Sequence, residues 1–438
     1  MFTEKGVLYR FVSQTYQEEY DALMQSGLYD ALVKEQLLIP HTEVSQPRIR
    51  GAYKILKPEL VPFISYPYEW SFSQLKDAAL ATMQIQFLAL KHGLILKDAS
   101  AYNIQFYKGK PVFIDTLSFE RYQEGNAWVG YRQFCQHFLA PLALMSQVDL
   151  RLGLLSQQFL DGIPLDLASR LLPAKSRFSL GLGSHIHLHA RSQKQHANDA
   201  SSATAHRKMP KANLLGLLRN LEMTVQSLRL PRQDTEWGDY YENTNYTNAS
   251  LQDKEKIIAG WVTLLKPRSV WDAGANDGTF SRIASRQNIP TVASDIDPMA
   301  IEQAYQSLKK HEDSYLLPLI IDLTNPSPAI GWENQERLSF LHRGQFDLTF
   351  ALALIHHLAI SNNLPLGHIA AFFRAHTKGL IIEFVPKEDS NTQRLLATRP
   401  DIFPDYTPAG FEKAFTSHFT IKEKVPVKES TRILYRME

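Results

Sequence analysis

The chain has 438 residues, with 47 Lys and Arg against 45 Asp and Glu for a formal net charge of +2. That balance excludes a protein that holds bulk nucleic acid through charge, and 44% hydrophobic with 21% charged residues excludes a disordered chain. A single cysteine, Cys135, excludes an internal disulfide framework and fits a reducing, cytoplasmic compartment. At ~150 residues per domain the length implies two or three domains. The first ten residues, MFTEKGVLYR, lack the apolar core of a secretory signal, and no apolar run approaches the ~20 residues of a membrane helix.

From the N-terminus, Tyr16 to Leu38 carries apolar residues at helical spacing (Tyr20, Leu23, Leu28, Leu32, Leu37) and breaks at Gly27. Ile55 to Tyr68 reads as strands punctuated by prolines. Phe72 to His92 is a long amphipathic helix with Ser73 as the expected N-cap and Gly93 as its end. Lys108-Gly109-Lys110 is a turn leading into the strand Val112-Phe113-Ile114-Asp115, and Tyr131 to Leu172 supplies further apolar helices. Ser184-His185-Ile186-His187-Leu188-His189, if extended, puts three histidines on one side, a spacing that suits a transition metal. With no cysteine or carboxylate beside it, a surface or packed histidine strand is the favoured reading. Residues 191–212 are small and polar and form the expected linker. These boundaries predict an N-terminal, mostly helical α+β domain over 1–190 and a second domain over 213–438.

After the linker, Leu214 to Leu228 reads as a helix. The tyrosine-rich segment Glu236 to Tyr246 is either a cover for a ligand crevice or packing, and Lys254 to Leu265 is the helix before a central strand. The next stretch is V-W-D-A-G-A-N-D-G-T-F-S, Val270 to Ser281: a strand, a turn with Gly274 and Gly278, and a new helix. Two glycines leave the backbone bare for close approach of a ligand, and the helix start offers free N–H groups. A second strand, Ile289 to Asp295, ends in a carboxylate about twenty residues on, the place where a nucleotide ribose is bound.

The turn D-A-G-A-N-D-G, followed in order by Ser294-Asp295-Ile296-Asp297-Pro298, Ile320-Ile321-Asp322-Leu323 and Phe346-Asp347-Leu348-Thr349-Phe350, resembles the class I S-adenosylmethionine-dependent methyltransferases. A dinucleotide fold would want G-x-G-x-x-G instead. The resemblance covers roughly 235–438 and implies an α/β, Rossmann-like fold there. For S-adenosylmethionine it implies Asp272 and the Gly274 and Gly278 backbone at the amino acid end, Asp295 at the ribose, and Asp322 with Leu323 at the adenine. Asn276 is included in this set with its role open. Asp297 either substitutes for Asp295 or caps the next helix. His356 or His357, after the fourth strand, is the candidate base toward the acceptor, and Glu383 either reaches the acceptor pocket or is a solvated strand residue.

In the N-terminal half, L-K-D-A-S-A-Y-N-I with P-V-F-I-D-T resembles the catalytic loop and metal-binding aspartate of the protein-kinase-like phosphotransferases. The resemblance implies Asp98 as base and Asn103 and Asp115 as Mg²⁺ ligands for ATP. Against it, Leu96 and Lys97 replace the usual lead histidine dipeptide, Thr116 follows the second aspartate, and no glycine-rich loop precedes, so the favoured reading is that Asp98 and Asn103 cap turns in a fold that no longer transfers phosphate. Taken whole, the chain also resembles bacterial nodulation-associated methyltransferases, which implies a small-molecule or carbohydrate-like acceptor. The expected activity is methyl transfer to oxygen or nitrogen, with a bifunctional phosphotransferase and a non-catalytic scaffold as the alternatives.

Overall fold

A computed structural model describes residues 1–45, 49–191, 208–230 and 247–438. The chain divides into two compact units, 1–232 and 233–438. None of the described helices is long and apolar enough to cross a membrane.

The first unit opens with a four-stranded antiparallel sheet in the order β1-β2-β4-β3, made of β1 (Phe2–Glu4), β2 (Val7–Ser13), β3 (His41–Val44) and β4 (Ala52–Pro58). Its inner face buries Val12 and Leu56 against Tyr20 of the helix Gln17–Gln25. Gly27, at φ +74°, breaks the helical run as expected, and a second helix follows over Leu28–Lys34. The helix Phe72–Lys91 starts one residue pair earlier than the expected cap. Ser71 accepts the Gln74 N–H, and Gln74 Oε1 accepts the Ser71 N–H at 2.9 Å, a reciprocal box that Ser73 has no geometry to make. Beyond it, β5 (Leu94–Leu96) pairs with β8 (Phe119–Arg121), and β6 (Ile104–Tyr107) with β7 (Lys110–Phe113). Lys108 and Gly109 both have positive φ, the pairing that a two-residue hairpin turn requires.

Two expectations are corrected here. Residues Gly183–Leu188 wind as a helical turn of π type and not as a strand, so His185, His187 and His189 do not share a side. At about 100° per residue, positions two apart point nearly opposite ways. His187 is accordingly turned away from His185 and His189, which both lie against Tyr131. His185 bridges Tyr131 Oη and Asn220 Oδ1, each at 2.8 Å; His187 bridges Ser169 Oγ at 2.7 Å and Ser176 Oγ at 2.8 Å; and His189 stacks on the Tyr131 ring.

The second correction concerns the domain boundary. The helix Lys211–Ser227, expected to open the C-terminal domain, is part of the first unit. Leu214, Leu218 and Leu221 are fully buried on it, and Lys76 donates to the Gln226 and Leu228 carbonyls at its end. Most of the expected linker, 192–207, and the tyrosine-rich segment 236–246 lie outside the described residues.

The second unit is one seven-stranded sheet in the order β11-β10-β9-β12-β13-β15-β14. Its strands are β9 (Val270–Ala273), β10 (Thr291–Asp295), β11 (Leu316–Ile320), β12 (Phe346–Ala351), β13 (Thr377–Phe384), β14 (Ile421–Pro426) and β15 (Ile433–Met437). β9 to β13 are parallel, and β15 runs antiparallel between β13 and β14. A parallel sheet must be covered on both faces, and β9 is accordingly buried at all four positions. Val270 packs in a cluster with Ile258, Trp261 and Val262 of the helix Asn248–Leu265, while Trp271, pointing the other way, meets the rings of Phe340, Phe346, Phe372 and Phe373. From β9 the chain moves outward through β10 and β11, then returns to the other side of β9 as β12. The order therefore reverses at β9, and an open crevice forms outside the carboxyl ends of the strands at such a point.

If the helix Lys211–Ser227 is core to the first unit, Leu218→Ala will destabilise the protein by about 2–5 kcal/mol in urea denaturation. A silent substitution would return this segment to linker status.

Candidate functional site

A cavity of about 370 Å³ occupies that crevice, within the range of ordinary small-molecule sites. Of the expected residues, Asp272, Gly274, Asn276, Asp295, Asp322, Leu323 and His357 line it. Gly278 and His356 are not among the lining residues.

The turn after β9 is built by alternating left-handed residues, with φ of +74° at Gly274, +50° at Asn276 and +76° at Gly278. At Gly274 a Cβ would also lie 3.1 Å from Leu354 Cδ1, so the position demands glycine on two counts. Asn276 is one of the few other residue types that tolerate such a φ. Its own backbone N–H donates to Asp295 Oδ2 at 2.8 Å, and its side-chain oxygen accepts the Asp277 N–H at 2.8 Å. Asp277 in turn takes the N–H and hydroxyl of Thr279, which makes it a brace of the loop.

Asp295 ends β10 with both oxygens engaged, Oδ1 taking the Asp297 N–H at 3.0 Å. The Ile296 N–H also supports the carboxylate, so three backbone donors hold it at the cavity wall. Asp297 is the helix cap of the two roles open to it: it accepts the Met299 N–H at 2.8 Å ahead of Pro298–His311 and is not among the cavity residues. Asp322 is held by the N–H and hydroxyl of Thr324 at 2.8 and 2.7 Å. Ile296, Ile321, Leu323, Leu352, Leu354 and Leu358 supply apolar walls.

Burial sets the electrostatics. Asp272, 1% exposed, is pushed up to about 7, partly opposed by the Ser281 hydroxyl at 2.6 Å and by Lys254. Burial also raises Asp295, to about 6, against the pull of the Asp297 and Asn276 N–H groups. His357 is held down to about 4 by burial and then by Arg432, so its imidazole is neutral at pH 7. His356 is pushed well below the ordinary imidazole value by burial and then by His357, and both its ring nitrogens lack a hydrogen-bond partner among the described residues. Successive residues of a helical turn point about 100° apart, which is why only one of this pair faces the cavity.

Sequence reasoning missed Lys254. Its ammonium is 1% exposed, lines the cavity and donates to Glu383 Oε2 at 2.7 Å. The signal was present: Lys254, Ile258, Trp261 and Val262 fall at i, i+4, i+7 and i+8, so the lysine lies on the buried stripe of its helix. Glu383 is correspondingly fully buried and paired, not solvated. Ser361, Asn362 and Leu395, also lining the cavity, carried no local pattern.

In the first unit, Asp98 Oδ1 accepts from the Ser100 N–H and from Gln133 Nε2. Asp115 pairs with Arg10 and takes the Leu117 N–H and the Ser118 hydroxyl at 2.8 Å each. The Asn103 backbone carbonyl accepts the Ile114 N–H, and its side-chain amide nitrogen is buried without a partner among the described residues. Both aspartates thus brace turns with protein donors. Among the described residues, no group of three or more His, Cys, Asp or Glu side chains is placed to hold a metal ion.

The strand order, the glycine turn and the acidic strand end define a Rossmann-like α/β fold of the methyltransferase type. The chain belongs to the family of the nodulation protein NoeA: it is 37% identical to NoeA of Rhizobium meliloti (strain 1021) over 391 residues, which cover 88% of this chain and 82% of that one. No family model matches. Among solved structures, the N-methyltransferase NodS of Bradyrhizobium japonicum WM9 is 14% identical, covering 43% of this chain and 96% of its own with a TM-score of 0.33. The magnesium protoporphyrin IX methyltransferase ChlM of Synechocystis PCC 6803 is 18% identical over 45% of this chain and 90% of its own, with a TM-score of 0.32. The bifunctional kinase-methyltransferase WbdD is 15% identical with a TM-score of 0.32, and the match covers 44% of this chain and only 40% of that one. The fold assignment rests on the strand order and not on similarities of this size.

The raised carboxyls predict a pH signature. The folded state binds these protons more tightly than the unfolded chain, so their stabilising contribution is complete below the ordinary value of 3.8 and is lost as pH rises through about 6 for Asp295 and about 7 for Asp272. In urea melts of the ligand-free protein, the stability of Asp295→Asn relative to wild type should therefore improve as pH climbs from 3.8 to beyond about 6. A difference independent of pH would show that Asp295 titrates normally.

Proposed function

We propose that the second unit transfers a methyl group from S-adenosylmethionine to an oxygen or nitrogen of a small-molecule or carbohydrate-like acceptor. The observation that carries this reading is the glycine turn tied to the strand-end carboxylate: Gly274 leaves a bare backbone in the same cavity lining as Asp295, an acceptor for a sugar diol. Cavity size supports it, as do the apolar walls for an adenine and the excess of carboxylates over ammonium groups, one lysine facing Asp272, Asp295 and Asp322.

When bound, the donor supplies an electrophilic methyl carbon on a cationic sulfur. In this reading Asp295 holds the ribose hydroxyls. Asp322 accepts from the adenine amine while Leu323 lies against the ring. Asp272, Gly274 and the turn through Gly278 hold the amino acid end, with Asn276 shaping the turn. Displacement in line depends on alignment more than on acid–base help. His357, neutral and lining the cavity, would accept a hydrogen bond from the O–H or N–H of the acceptor and so orient that group. His356, away from the cavity lining, is left with a packing role. The apolar residues keep water from competing.

Titration calorimetry with S-adenosylhomocysteine tests the reading. Wild type should bind, and Asp295→Ala should weaken binding by about 10- to 100-fold, the cost of removing a charged hydrogen-bond acceptor. Absence of heat with the wild-type protein would overturn the proposal.

A further inference from the structure

Ala353 carries an unusual backbone. It follows β12 at φ +49°, a left-handed conformation that an alanine adopts only under constraint, and it lines the cavity. The constraint is on the page: the Ala353 N–H donates to Glu383 Oε2 at 2.7 Å, and the same oxygen receives Lys254 Nζ at 2.7 Å. Lys254 and Glu383 are 1% and 0% exposed, and the lysine also lies 4.4 Å over the Phe280 ring. The kink at Ala353 sends Leu354 across Gly274, close enough to contact any Cβ placed there, and starts the helical turn that brings His357 to the cavity.

We infer that Lys254 and Glu383 form a positioning clamp that joins the two halves of the cavity. Lys254 comes from the helix before β9, on the side of the glycine turn, and Glu383 from the end of β13, on the side of His357. The lysine orients and neutralises the carboxylate. The carboxylate holds Ala353 in its strained conformation, and Ala353 sets Leu354 over the turn and His357 against the cavity. A buried ion pair of this kind adds little net stability compared with an apolar pair, so its use lies in the geometry that it imposes. The clamp is a backbone claim and stands independently of the methyl donor. Its consequence for donor binding rests on the function proposed above.

The test compares three proteins, each checked for folding by thermal melting: wild type, Lys254→Met with Glu383→Leu, and Lys254→Met with Glu383→Gln. Both double variants remove the two charges together, so neither leaves a buried charge unpaired, and only the glutamine one keeps an amide oxygen for the Ala353 N–H. Hydrogen–deuterium exchange of 353–357 should be about tenfold quicker in the leucine double variant than in the glutamine one, and S-adenosylhomocysteine affinity should be lower by a similar factor, the cost of one buried hydrogen bond. The glutamine double variant should keep the exchange within about threefold of wild type. A folded leucine double variant with wild-type exchange at 353–357, or a glutamine double variant no better than the leucine one, overturns the clamp. If wild type gives no heat with S-adenosylhomocysteine, the donor reading fails by itself, and the exchange measurement still decides the clamp.

Discussion

The hydrogen bond from the Asn276 N–H to Asp295 Oδ2 is the contact on which the site depends. It ties the turn after β9 to the end of β10, two parallel neighbours whose own ladder stops just before this point. Through it the left-handed turn is held open and the carboxylate is fixed at the rim of the crevice. The sheet beneath is rigid because both its faces are covered, by the Ile258–Trp261–Val262 stripe on one side and the aromatic cluster around Trp271 on the other. A rigid sheet lets backbone groups at its edge be placed to a fraction of an ångström, which is what recognition of a small ligand requires.

Charge burial is the second theme. Lys254–Glu383 and Arg432–Asp389 are both almost wholly buried ion pairs of 2.7 Å, the second also fixing the cap of the helix Ser390–Leu396 through Asp389. Removing one partner of such a pair leaves an uncompensated charge and costs about 3–5 kcal/mol, whereas replacing both is far milder. Arg432 also depresses both His356 and His357, so the cationic pair member and the neutral imidazoles belong to one electrostatic neighbourhood.

The two histidine runs make a useful contrast. His185, His187 and His189 looked like a ligand set only while the segment was taken as extended; wound into a helical turn, His187 goes to two serine hydroxyls while His185 and His189 both go to Tyr131. His356 and His357 are separated by the same helical geometry, and it leaves one of them at the cavity wall. Periodicity assigned the wrong geometry to the first run because alternating Ile186 and Leu188 satisfy a strand pattern, although in the helical turn only Ile186 is buried and Leu188 is exposed.

Much of the second unit was legible from residue order alone. Gly274 and Gly278 announce a turn that other residues enter at a steric cost, β9 to β13 read as apolar runs because parallel strands are buried on both faces, and Asp295 and Asp322 stand at strand ends where chain chemistry changes abruptly. These are local properties, set by each residue's own backbone preferences and its near neighbours. What the tertiary structure alone decided is long-range: that Lys254 meets Glu383 across 129 positions, that the helix Lys211–Ser227 packs on the first unit, that Arg10 answers Asp115, and that His357 rather than His356 faces the cavity. The physical reason is that a buried charge or an amphipathic face is satisfied by whichever partner the fold brings near, and nothing in the chain's neighbouring residues records which one that will be.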